Sequence, residues 1–214
     1  MKCDLVPEST ACFTGHRSLS RTLLPEIRPR VAGAISQAYK NGYRTFLCGG
    51  ARGFDTLAAL EVLKFRESHP EIRLVIAVPC ATQADRWTAE DRITWQTVCD
   101  SADEVYILSE SYYNGCMQAR NRYMVDASSL CLCYLVRFEG GTWSTVRYAL
   151  HRGLNLMNLA MPDEPVLKMR EKQWNCISTF RSVSENAHTV HLFLSPLQKK
   201  KKTRMSRCSF AKRN

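Results

Sequence analysis
Several absences narrow this sequence before any motif is considered. No apolar run approaches the roughly 18 residues that cross a bilayer, so no membrane span is expected. The opening MKCDLVPEST shows no basic stretch followed by an apolar core and a small-residue cleavage site, and the expected address is therefore the cytoplasm. The ten cysteines form no Cys-x-x-Cys pair and sit in a chain too large to need disulfide staples, so reduced, buried thiols are expected. Cys176, His188 and His191 lie near one another in sequence but lack a fourth ligand for zinc, and no metal is expected. Neither G-x-G-x-x-G nor the lysine-bearing P-loop is present. Acids are missing after Glu185, while eight lysines and arginines fall within residues 199–213. The net charge of +10 is therefore concentrated in a basic tail, expected to be disordered, and the remainder is nearly balanced.

What is present is an alternation. With 214 residues and 45% hydrophobic content, the chain can bury one substantial core. Short apolar runs (ACFTG, RTFLC, IRLVIAVP, EVYIL, LCLCYLV and NLMNL) are separated by segments of helical periodicity at about residues 25–41, 55–68, 82–100, 117–127 and 142–151. In the first of these, Ile27, Val31, Ala34, Ile35 and Ala38 share a face, with Pro25 and Pro29 where a first turn tolerates them. The pattern predicts an α/β fold of Rossmann-like, three-layer α/β/α type, with a mainly parallel sheet of about six strands. Its ligand crevice is expected at the carboxyl ends of the strands. Residues 9–161 are the expected Rossmann-like domain, 162–198 an extension without a clear assignment, and 199–214 the basic tail. The sequence leaves a homo-oligomer open.

The strand ends share a chemistry. Gly15, His16 and Arg17 follow the first; Gly49, Gly50, Arg52, Gly53, Asp55 and Thr56 follow the second. Trp87 lies beyond the third, Arg120 and Asn121 beyond the fourth, and Gly140, Gly141, Thr142 and Thr145 beyond the fifth. Glycines at a strand-to-helix turn let backbone amides approach an anion, and the helix N-terminus adds a favourable dipole. Guanidinium forks suit phosphate oxygens. These residues are the candidate ligand site, and Gly50→Asp is expected to fill the anion site with a negative side chain. Individual roles stay open: Asp55 either caps its helix or meets a ribose hydroxyl, His16 either satisfies a turn or serves catalysis, and Trp87 either stacks on a base or covers a helix.

The segments TGHR, GGARGFDT, PC-x-x-Q-x-x-x-W, GCMQARNRYMVD and GGTWSTVRYA, in this order, resemble the YpsA-like family of the SLOG superfamily. The resemblance spans about residues 12–159. It implies a Rossmann-like fold that binds a nucleotide-derived ligand, with an ADP-ribose-like molecule as the natural guess. The same superfamily holds the LOG phosphoribohydrolases and the DNA-processing protein DprA, which imply two alternatives. One is hydrolysis of a nucleotide, with Asp55, Glu110, Asp126 or His16 as acid or base. The other is binding of nucleic acid through the rim arginines and the basic tail. Arg120 and Met124 keep the spacing of the LOG arginine and methionine, but no glutamate follows Gly140 and Gly141 as the LOG loop requires. A glycosidic cleavage needs such an acid or stabiliser, so a binding or sensor module is the leading expectation.

Overall fold
The computed structural model describes residues 5–160. The expected extension and basic tail, and the Cys176, His188 and His191 group, lie outside the described residues. Within them the alternation appears as strand β1 (Thr10–Gly15), helix α1 (Leu24–Lys40), β2 (Thr45–Cys48), α2 (Phe54–Arg66), β3 (Arg73–Val78), α3 (Ala89–Ser101), β4 (Glu104–Ile107), α4 (Cys116–Asp126), β5 (Leu130–Tyr134), α5 (Gly140–His151) and β6 (Asn155–Asn158). No helix among them is long and apolar enough to cross a membrane.

All six strands are parallel, in the order β4-β3-β2-β1-β5-β6. The chain winds outward from β1 through β4, then returns to lay β5 on the other side of β1. Right-handed crossovers in two opposite directions put their helices on opposite faces. Accordingly, Ile27, Val31, Phe54 and Val98 of α1, α2 and α3 pack with Phe13, Phe46 and Ile76 on one face. Met124, Val125, Val146 and Ala149 of α4 and α5 pack with Cys12, Leu47, Cys131 and Cys133 on the other. The expected buried thiols thus serve as small core residues, and the cysteines of the described residues are free.

The inner strands β1, β2, β3 and β5 are buried on both faces, which explains their near-continuous apolar sequence, whereas the edge strands β4 and β6 are partly exposed. Phe13 stacks on Phe46 at 5.9 Å and meets Phe54 edge-on at 6.3 Å, while Phe54 stacks on Tyr134 at 5.6 Å. Removing one such ring leaves a cavity that costs about 3–5 kcal/mol. This aromatic group lies beneath the carboxyl ends of β1 and β5, where the sheet order reverses.

Two local expectations shift. The third helix starts at Ala89 rather than near residue 82, because Thr88 caps it by accepting from the Asp91 amide at 3.2 Å, whereas residues 81–86 form turns. Those turns are held inward by Gln83, whose amide donates to the Gly50 carbonyl at 2.8 Å. Pro29 falls in the second turn of α1 rather than the first, and it is exposed there.

Candidate functional site
A cleft of about 680 Å³ opens at the carboxyl ends of β1 and β5, the topological switch point. It gathers Gly15, His16 and Arg17 from the first strand end and Asp55 from α2. Arg120 and Asn121 enter from α4, and Gly140, Gly141 and Thr142 from α5. The remaining sequence-derived residues stand behind this wall or away from it.

The loop after β2 is a support. Gly53 has φ +77°, and a Cβ there would lie 2.5 Å from the Arg17 carbonyl oxygen and 2.6 Å from that of His16. Such an approach, with the Phe54 amide donating to the His16 carbonyl at 3.1 Å, locks the second strand end against the first. Gly49 leaves room for Arg120, since a Cβ at 49 would sit 2.7 Å from an Asp55 carboxylate oxygen and collide with the guanidinium. Gly50 faces the interior, where a Cβ would meet Ile76 at 2.9 Å. Thr56 spends its hydroxyl on the Ala51 carbonyl at 2.9 Å. Arg52 pairs with Asp91 at 3.2 Å and lies over the Trp87 ring at 5.7 Å, and Trp87 packs edge-on against Trp95 at 6.2 Å. Neither Arg52 nor Trp87 lines the cleft.

Arg120 is 4% exposed and acts as a clamp. It donates from Nη1 to the carbonyls of Gly49 and, at 3.3 Å, Ala77, tying α4 to the ends of β2 and β3. Its Nε donates to Asn121 Oδ1 at 2.8 Å, Asn121 Nδ2 donates to Thr145 Oγ1 at 2.8 Å, and Thr145 Oγ1 donates to the Gly141 carbonyl at 2.9 Å. This chain of bonds fixes the glycine turn of α5 relative to α4. Thr145 thereby shapes the cleft without lining it.

His16 joins the two strands of the switch point. Its Nε2 accepts from the Val136 amide at 3.1 Å, which requires a neutral ring, and burial followed by the Arg137 charge lowers its pKa. Asp55 makes no cap to α2; its Oδ2 accepts from the Ala51 amide at 3.4 Å. At 6% exposure, burial raises its pKa to about 6, opposed by Arg120, the Ala51 amide and Arg17. The N-terminus of α5, preceded by Glu139, carries no side-chain cap, so its first amides are open to an anion, whereas the first amide of α4, Cys116, donates to the Tyr113 carbonyl at 3.1 Å. Arg137, Tyr112, Asn114 and Gln118 also line the cleft and were not singled out by the sequence. Arg137 was legible as a cation between a strand and a glycine turn, whereas Tyr112 lies in the stretch SYYNG, which has no periodicity to place it. Arg17 and Arg137 are exposed and make no side-chain hydrogen bond or ion pair among the described residues.

Such a switch-point cleft, bounded by glycine turns and helix N-termini, defines a protein of the Rossmann-like class. The chain belongs to the YspA SLOG family, whose model matches residues 13–152. It is 30% identical over 122 residues to the SPbeta prophage-derived protein YoqJ of Bacillus subtilis, covering 51% of this chain and 71% of that one. It is 31% identical over 91 residues to the UPF0398 protein BH1768 of Halalkalibacterium halodurans, covering 42% and 48% of the two chains. In structure it is similar to DNA processing protein A of Helicobacter pylori, with a TM-score of 0.52 and 18% identity over 71% of this chain and 65% of that one. DprA of Streptococcus pneumoniae gives a TM-score of 0.51 and 16% identity over 70% and 49%. At these identities the likeness is one of fold, and the chain spans about half the length of BH1768 and of the S. pneumoniae protein.

Proposed function
We propose that this chain binds a nucleotide or nucleotide-derived ligand, of the ADP-ribose kind, in the cleft between β1 and β5, and that it works as a sensor or regulatory module. The observation that carries this reading is the convergence of Arg17, Arg137 and the uncapped N-terminus of α5 on one cleft. Guanidinium forks and helix amides are the groups that hold phosphate oxygens. The cleft volume falls within the range of small-molecule sites. Asp55 and Glu139 line it too, and a carboxylate there suits a ribose hydroxyl better than it suits an inorganic anion.

A hydrolase reading draws on Asp55, because a buried carboxyl with a pKa of about 6 is suited to proton transfer near neutral pH. A nucleic-acid reading draws on the cations of residues 199–213 and on the fold shared with DNA processing protein A of H. pylori, which has a single-stranded DNA binding mode. One experiment separates all three. Thermal shifts with ADP-ribose, NAD, AMP and inorganic pyrophosphate should show saturable stabilisation, about 2.7 kcal/mol at a hundredfold excess over Kd, with the ligand recovered intact by chromatography. Released base or phosphate would establish the hydrolase instead. Steeply salt-dependent oligonucleotide binding that is lost on deleting residues 199–214, with no response to the small ligands, would establish the third reading.

A further inference from the structure
The same cleft carries one exposed aromatic ring, that of Tyr112. We infer that Tyr112 is the residue on which a nucleobase stacks, so that the ligand is a base-bearing nucleotide rather than a sugar phosphate; this rests on the nucleotide reading above. Trp87, the aromatic that the sequence offers for this task, is turned away toward Trp95 and Arg52. The aromatic side chains lining the cleft are Phe13 and Tyr112, and Phe13 has no exposed surface left to give. Tyr112 is 63% exposed. A ring left in water at the wall of a polar cleft gains by covering one face with another flat ring.

The loop holding it is anchored. The Ala81 amide donates to the Ser109 carbonyl at 3.0 Å, the Ser109 hydroxyl donates to the Ser111 carbonyl at 2.8 Å, and the Cys116 amide donates to the Tyr113 carbonyl at 3.1 Å. Ordering costs are therefore partly met before a ligand arrives. Asn114 on the same loop and Gln118 on the first turn of α4 add two exposed amides, each able to donate to and accept from a base edge. The cations come from the β1 and β5 ends, while Tyr112 comes from the β4 end, so the cleft offers a charged pole and an aromatic one. A nucleoside phosphate has the same two poles.

The test is calorimetric titration of AMP, GMP and UMP against ribose 5-phosphate. The wild-type protein should bind at least one nucleotide more tightly than ribose 5-phosphate. Tyr112→Ala should weaken that nucleotide by about 10- to 100-fold while changing ribose 5-phosphate by less than about twofold, and Tyr112→Phe should retain nucleotide affinity. Equal nucleotide affinity in Tyr112→Ala, or equal losses for both probes, overturns the stacking role and leaves the nucleotide reading standing. Wild-type binding of ribose 5-phosphate as tightly as any of the nucleotides also overturns it. Wild-type protein that binds neither these probes nor ADP-ribose and NAD removes both.

Discussion

His16 Nε2 accepts the Val136 amide across the switch point at 3.1 Å, so the loop that carries Arg17 and the loop that carries Arg137 are joined by an imidazole that must stay neutral. Burial and the Arg137 charge lower its pKa below the ordinary 6.5. A lowered histidine pKa means that the unfolded chain binds more protons near pH 6, so this residue's contribution is complete above pH 6.5 and is lost as pH falls through the folded value. The imidazole signals of His16, followed by NMR, should titrate with a midpoint below 6.5, and the Val136 amide should shift with them. A midpoint above 6.5 would show that the bond does not hold the neutral ring.

Asp55 imposes the opposite slope. Its pKa is raised by burial from 3.8 to about 6, so the folded state binds the extra proton and the associated stability is complete below pH 3.8 and lost as pH rises through 6. At one pKa unit per 1.36 kcal/mol, the carboxylate destabilises the fold by about 3 kcal/mol at pH 8. Asp55→Asn should therefore match or exceed the wild-type melting temperature at pH 8 and should melt with a flatter pH dependence from 4 to 8. The ionised carboxylate also repels a phosphate in the shared cleft, so anion affinity in the wild type should rise as pH falls through about 6. An Asp55→Asn protein less stable than wild type at pH 8 would mean that its bond to Ala51 and its attraction to Arg120 outweigh burial.

The sequence was most informative where physics is periodic. Apolar runs and helical spacing placed the six strands and the five α-helices, because the inner strands of a parallel sheet are buried on both faces and leave little choice of residue type, but not the short 3-10 turns at Pro7–Ser9 and Arg21–Leu23. Strand ends were legible as a set, since glycine turns and arginines marked the rim. The facing of single residues was not, because a loop has no period. Gly49 and Gly50 read as a cradle, yet one admits a guanidinium and the other packs on Ile76. Gly50→Asp, expected from the sequence to block an anion, instead meets Ile76 and a φ of +60° and should lower stability. Arg52 reads like Arg17 but is drawn off by Asp91, which lies 39 residues ahead in sequence.

Arg120 should prove a matter of stability before binding. Its side chain satisfies the Gly49 and Ala77 carbonyls and orients Asn121. Lysine cannot reproduce a fork that reaches three acceptors, so Arg120→Lys should lose about 2–5 kcal/mol of unfolding free energy in urea titration. Asn121→Ala removes both the link to Thr145 and the acceptor of Arg120 Nε and should lose about 1–3 kcal/mol. A change below about 0.5 kcal/mol in Arg120→Lys would show that the carbonyls find other partners.

Arg17 and Arg137 should behave in the reverse way. Both are exposed and make no side-chain hydrogen bond or ion pair among the described residues, so Arg17→Gln and Arg137→Gln should each shift unfolding free energy by no more than about 0.5 kcal/mol. Each removes a charge-assisted donor from the phosphate pole, and each should weaken AMP about tenfold or more by titration calorimetry. The double variant discriminates further. If the two guanidinium groups grip one phosphate, their losses are coupled and the double variant departs from the sum of the singles; if they hold separate phosphates of a longer ligand, the losses add for ADP-ribose. Unchanged AMP affinity in both single variants would place the anion elsewhere than between β1 and β5.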